Sequence, residues 1–162
     1  MVRVTAQNSP RLSLAALVAT KPGSRPRLRY RTHRGRRGGR AGRRKAFTEA
    51  DYAALLDAAH RQLGGPLVLV WDNLNTHVSA VMAELISARP WLTVFRLPPY
   101  APELNPVEPV WSHLKRSLAN LAKHTIAELT ALVKTRLKRM QYRPGLLAGF
   151  LATTGLGFEP FL

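Results

Sequence analysis

The chain has 162 residues and carries 25 Lys and Arg against 9 Asp and Glu, a formal net charge of +16. Some 46% of the residues are apolar, enough for one domain with a real core and too many for wholesale disorder. Cysteine is absent, which excludes disulfides and thiolate metal sites and fits a reducing cytoplasm as the default location. "LSLAALVA" (12 to 19) is too short to span a bilayer and "VRVTAQNSP" is no secretory leader, so a membrane protein is not expected.

The charge is unevenly placed. Residues 1 to 48 hold 14 basic residues and no acid, whereas 49 to 162 hold 11 basic and 9 acidic residues. Such a field attracts polyanions, with binding that weakens steeply as salt rises. Nucleic acid is the expected partner, because the basic run lacks the amphipathic helical pattern of a membrane-surface segment.

In chain order, residues 12 to 19 and "RLRYRT" (27 to 32) read as two strands around the turn "KPGSRP". Then comes "HRGRRGGRAGRRK" (33 to 45), with seven basic residues and four glycines, a composition that buries nothing and reads as a mobile basic loop. Thr48 is a plausible N-cap for a helix with Tyr52, Leu55, Leu56, Ala59 and Leu63 on one face. "LGGP" ends that helix before a strand over 67 to 71. A short helix (79 to 88), a strand (91 to 97) and a helix from about Pro106 to Leu121 follow. A further helix, Thr125 to Met140, opens with a capping box of Thr125 and Glu128. The stretch 141 to 162 is an apolar tail interrupted by glycine, and the sequence leaves its structure open. The order predicts an α/β fold, a mixed sheet with helices on both faces.

Two carboxylates stand out. Asp72 follows directly on the apolar strand "LVLVW", where α/β proteins place their sites, although a strand-end turn with Asn73 is the plainer explanation. Glu108 lies in the first turn of the helix that follows the next strand. Parallel strands would bring both to one sheet edge, as a hard divalent cation such as Mg²⁺ needs. A purely structural alternative exists for Glu108. With Asn105 as N-cap and Pro106 at the first helical position, Glu108 falls at the third and closes a capping box. Glu103 lies in the preceding loop and reads as solvated.

"WDNLNTH" followed by "LPPYAPELNPVEPVWSHLK" resembles the carboxyl-terminal half of a mariner-type DDE transposase of a bacterial insertion sequence. The resemblance covers roughly residues 10 to 140, with its specific motifs confined to 67 to 116. It implies an RNase H-like domain in which three acids hold two Mg²⁺ ions, with Mn²⁺ as a substitute, and in which DNA is cleaved and then transferred to a target. By position, Asp72 would be the second acid and Glu108 the third. Double-stranded DNA, both transposon ends and target, is the implied partner, with a homodimer and an upstream transposase fragment as further candidates.

The family's first aspartate has no counterpart upstream, since residues 1 to 48 hold no acid, and Glu49, Asp51 and Asp57 fall on the predicted helix. The expected sheet therefore lacks its central first strand, leaving two unpaired edges that "VRVTAQ" (2 to 7) could fill without bringing a carboxylate. Residues 1 to 162 read as one partial catalytic domain. It is either completed by an upstream segment carrying the first Asp or an inactive remnant that binds DNA through its basic half. An unrelated basic RNA-binding or scaffold protein is disfavoured by the dense motif. Arg34, Arg36, Arg37, Arg40, Arg43, Arg44 and Lys45 are expected to contact DNA, as are Lys115 and Arg116 if they do more than form an exposed helical face. His77 reads as a polar loop residue rather than a metal ligand or a DNA contact, and Trp71 and Trp111 as core or rim rather than base-stacking platforms. Asn73 reads as either a turn former or a support for the site.

Overall fold

The computed structural model describes residues 2–4, 11–35, 47–119 and 125–155. The long hairpin forms as its alternation predicts: β2 (Arg11–Ala19) pairs antiparallel with β3 (Arg27–Gly35) from Arg11↔Gly35 to Ala19↔Arg27. The two faces of β2 divide its residues by period two. Leu12 and Leu14, with Ala16 and Val18, join one core, while Ala15 and Leu17 join another. The strand β3 runs three residues beyond the expected end, so His33, Arg34 and Gly35 are ladder residues rather than loop. Backbone pairing with Arg11 to Ser13 extends the strand where side-chain composition carries no signal. Residues 36 to 45 of the expected basic loop lie outside the described residues.

Helix α1 (Glu49–Leu63) is capped as predicted by Thr48, in a reciprocal box closed by Asp51 rather than by a glutamate. It ends at Gly64 in the left-handed conformation, φ 67°, which glycine adopts without a Cβ clash. Leu55 packs with Ala15 and Phe47 under the hairpin, and Leu56 packs with β4 (Leu67–Trp71), so α1 bridges two sheets. Strand β4 pairs in parallel with β5 (Leu92–Arg96), Leu67 opposite Leu92 through Trp71 opposite Arg96. Helix α2 (Ala80–Ser87), capped by the Ser79 hydroxyl, seals their inner face with Met82. On the other side of the hairpin, α3 (Val107–Leu118) and α4 (Ile126–Gln141) build the main core from Val110, Trp111, Leu114, Val133 and Leu137. The expected box of Thr125 and Glu128 opens α4. Helix α5 (Pro144–Ala152) adds Leu147 and Phe150 to that core, so this part of the apolar tail is an ordinary packed helix.

The strands do not join into one continuous sheet. Those described form a three-stranded sheet, β1-β2-β3, and a separate two-stranded sheet, β4-β5. The short β1 (Val2–Val4) pairs antiparallel with the edge of β2 that faces away from β3, but only along Leu12 to Leu14. Beyond that, Leu17 to Ala19 on one side and Leu67 to Val70 on the other line a largely apolar cleft of about 570 Å³. Val68 and Phe95 are 69% and 57% exposed on the outer face of β4-β5. No helix among the described residues is long and apolar enough to cross a membrane.

Candidate active site

The parallel register brings the carboxyl ends of β4 and β5 to one edge, and two hydrogen bonds lock them together. The Leu97 N–H donates to the Trp71 carbonyl at 2.8 Å, and the Asn73 amide donates to the Leu97 carbonyl at 2.8 Å. Asn73 is thus a support for the site as well as a turn residue. Asp72 emerges between these ties. Its Oδ1 accepts from the Leu74 N–H at 3.3 Å and from His77 Nδ1 at 2.9 Å. The hydrogen bond from His77 is the main force holding the Asp72 carboxyl below the usual aspartate range, so it is ionised at neutral pH. Partial burial opposes the shift.

Glu108 does not close the expected capping box. Helix α3 begins at Val107 with Pro106 as its cap, so Glu108 stands one position earlier in the helix than predicted. Asn105 still caps, but its Oδ1 accepts from the Val107 N–H at 3.1 Å, and the Glu108 N–H goes to the Asn105 carbonyl. The half-buried Glu108 side chain is left without a hydrogen bond or ion pair among the described residues. It lines, with Asp72 and Asn105, an open cavity of about 420 Å³ walled by Pro98 to Pro102. Tyr100 on that wall is fully exposed and held at φ 59°, a left-handed conformation uncommon for a non-glycine residue. Asp72 and Glu108 also share a narrower recess that reaches Ala15, Leu17 and Trp71, so the site opens directly onto the cleft between the sheets.

Asp72 and Glu108 therefore line one hollow. Two oxygen ligands fit a hard divalent ion that keeps several waters, and the unengaged Glu108 carboxylate is the observation that favours such use. No group of three His, Cys, Asp or Glu residues that could hold a metal is found among the described residues. The other acids near these elements are occupied elsewhere or exposed. Glu49 accepts from Ser79, Asp51 caps α1, Asp57 pairs with Arg89, and Glu103 stands exposed in a 3-10 turn.

His77 is more than a polar loop residue. Its ring lies face to face with Trp71, centroids 4.1 Å apart and planes 3° from parallel, and edge-on to Tyr52 at 4.8 Å. The only signal of this in the sequence is its spacing, five residues after Asp72. Trp71 and Trp111 are buried, as core residues. Lys115 and Arg116 are exposed in the last turn of α3, and Arg34 is exposed on β3. Arg36, Arg37, Arg40, Arg43, Arg44 and Lys45 lie outside the described residues.

The comparisons with known proteins agree with this architecture. The catalytic domain of Mos1 mariner transposase matches at a TM-score of 0.50 and 14% identity, covering 91% of this chain and 83% of that one. The same domain in a structure with Raltegravir and Mn matches at 0.53 and 13%, covering 91% and 84%. The Mos1 paired-end complex with left transposon end matches at 0.51 and 13%, with this chain spanning 56% of that longer chain. The shared fold is RNase H-like. No match is found among curated proteins. A family model described as DDE superfamily endonuclease matches residues 18–132, well over half of the chain. The chain belongs to the DDE superfamily endonucleases, with the fold of a mariner transposase catalytic domain.

Proposed function

We propose that this chain supplies two of the three acids of a transposase active site that cuts and rejoins DNA, with Asp72 and Glu108 as its metal-binding catalytic residues. The observation that carries the reading is their convergence, from a strand end and a helix start, in a hollow that opens onto the cleft between the two sheets. Family membership supports phosphodiester chemistry, and the Mos1 complex with transposon-end DNA supports DNA as the substrate.

Asp72 is presented as an anion by His77 and Leu74, and Glu108 is held by the first turn of α3 with its carboxylate free. Magnesium, or manganese in its place, would supply charge stabilisation for in-line displacement at phosphorus. Two carboxylates suffice to anchor one such ion, whereas a pair calls for a further acid. The cleft between Leu17–Ala19 and Leu67–Val70 is the place from which that acid would come. An extended segment seated there would pair with the two edges left unpaired among the described residues and reach the Asp72 end of β4. We take that segment to be an upstream part of the transposase. A copy without it would be a DNA-binding remnant, a reading favoured by the lack of a three-residue metal-ligand group among the described residues.

The test is nicking of supercoiled plasmid in Mg²⁺ by the chain alone and by the chain joined to the segment encoded directly upstream. Nicking only by the joined protein, abolished by Asp72→Asn and by Glu108→Gln, is expected. Inactivity of the joined protein leaves the remnant.

A further inference from the structure

His77 reaches Asp72 in a way that selects between the two carboxylate oxygens. Both donors to the Asp72 side chain, His77 Nδ1 at 2.9 Å and the Leu74 N–H at 3.3 Å, fall on Oδ1. Oδ2 takes no hydrogen bond among the described residues. The imidazole cannot swing away, because Trp71 covers one face and Tyr52 meets it edge-on. The same Nδ1–H also donates to the Asp72 backbone carbonyl at 3.2 Å, so one donor is shared between the carbonyl and Oδ1. The Nε2 atom is buried and has no partner among the described residues. A buried lone pair is tolerated better than a buried N–H without an acceptor, so the proton belongs on Nδ1.

We infer that His77 is a positioning residue. As the Nδ1–H tautomer, clamped on Trp71, it engages Oδ1 of Asp72 and turns Oδ2 toward the hollow shared with Glu108 as a single-oxygen metal ligand. The inference rests on the reading of Asp72 as a metal ligand and adds how that ligand is aimed. Groups that hold a ligating carboxylate in this way are worth roughly ten- to hundred-fold in metal affinity.

Two substitutions separate the donor from the ring. His77→Phe keeps the stack on Trp71 and removes the hydrogen bond, whereas His77→Asn places an amide N–H near the Nδ1 position and removes the stack. Mn²⁺ affinity, read by electron paramagnetic resonance of the free ion, is expected to fall about ten- to hundred-fold in His77→Phe and to recover in His77→Asn. Thermal stability is expected to follow the opposite order. Equal Mn²⁺ affinity in wild type and His77→Phe would overturn the inference. Asp72→Asn distinguishes the two levels: wild-type affinity in that variant removes Asp72 from the metal site, and with it the reading on which the inference depends. Independently of any metal, long-range proton–nitrogen NMR above the imidazole titration range should show His77 protonated at Nδ1. Protonation at Nε2 would overturn the inference by itself.

Discussion

The Asn73 side-chain amide donates to the Leu97 carbonyl at 2.8 Å and so ties the loop after β4 to the end of β5. That single bond sits beside Asp72 and fixes where the chain turns toward the loop that delivers Glu108. Removing it in Asn73→Ala leaves a part-buried carbonyl short of a donor, at a cost of about 1 kcal/mol. A lowered urea midpoint with unchanged slope is the expected result. Loss of Mn²⁺ binding should exceed what that stability change explains, because the two carboxylates would no longer be held in register.

The ion pair between Arg89 and Asp57 joins the loop after α2 to α1, with Nε–Oδ1 at 2.7 Å and a second bond at 2.9 Å. The hydrogen bond from Arg89 holds the Asp57 carboxyl below its ordinary value. A depressed carboxylate contributes stability above the unfolded-state pKa, near 3.9, and loses it as pH falls through the folded-state value. Because Asp57 is about a third exposed, solvent screening keeps the contribution to about 1 kcal/mol or less. Asp57→Asn should therefore be slightly less stable than wild type at neutral pH and equal to it in acid, by urea unfolding at each pH.

Leu147 on α5 is fully buried against the main core. Its truncation to Ala should cost about 2–5 kcal/mol, as at other buried leucines. A loss below about 0.5 kcal/mol in thermal or chemical unfolding would mean that α5 does not pack as described.

The basic field of residues 1 to 48 should bind duplex DNA with little sequence preference. Replacing Arg36, Arg37, Arg40, Arg43, Arg44 and Lys45 together with Ala should weaken binding. It should also flatten the logarithmic salt dependence by about 0.9 for each phosphate no longer neutralised. Fluorescence anisotropy over a salt series reads both.

Local signals carry most of the fold. Thr48, Thr125 and Gly64 mark helix ends through side-chain caps and a left-handed turn, all encoded within four residues. Leu67 to Trp71 and Leu92 to Arg96 announce themselves by apolar composition, and their parallel pairing follows from the helix between them. What stays hidden depends on distant partners. The end of β3 is held by the backbone of β2, so its glycine and arginine content misleads. Helix α5 hides behind Pro144, Gly145 and Gly149, yet proline suits its first turn and burial of Leu147 and Phe150 outweighs weak propensity. At the site, Asp72 is legible as a carboxylate directly after an apolar strand. The freedom of the Glu108 side chain is not, because it turns on a one-residue shift in where α3 begins. His77 is concealed for a similar reason: its value lies in the face of Trp71, which only the folded loop brings to it.

Whether Asp72 and Glu108 share one divalent ion decides the rest. Mn²⁺ titration of the wild-type chain, Asp72→Asn and Glu108→Gln, each followed by electron paramagnetic resonance, reads this without intermediaries. One class of bound ion in the wild type, lost in both variants, is the expected result. A class that persists at wild-type affinity in either variant would mean that the two carboxylates do not form a common site.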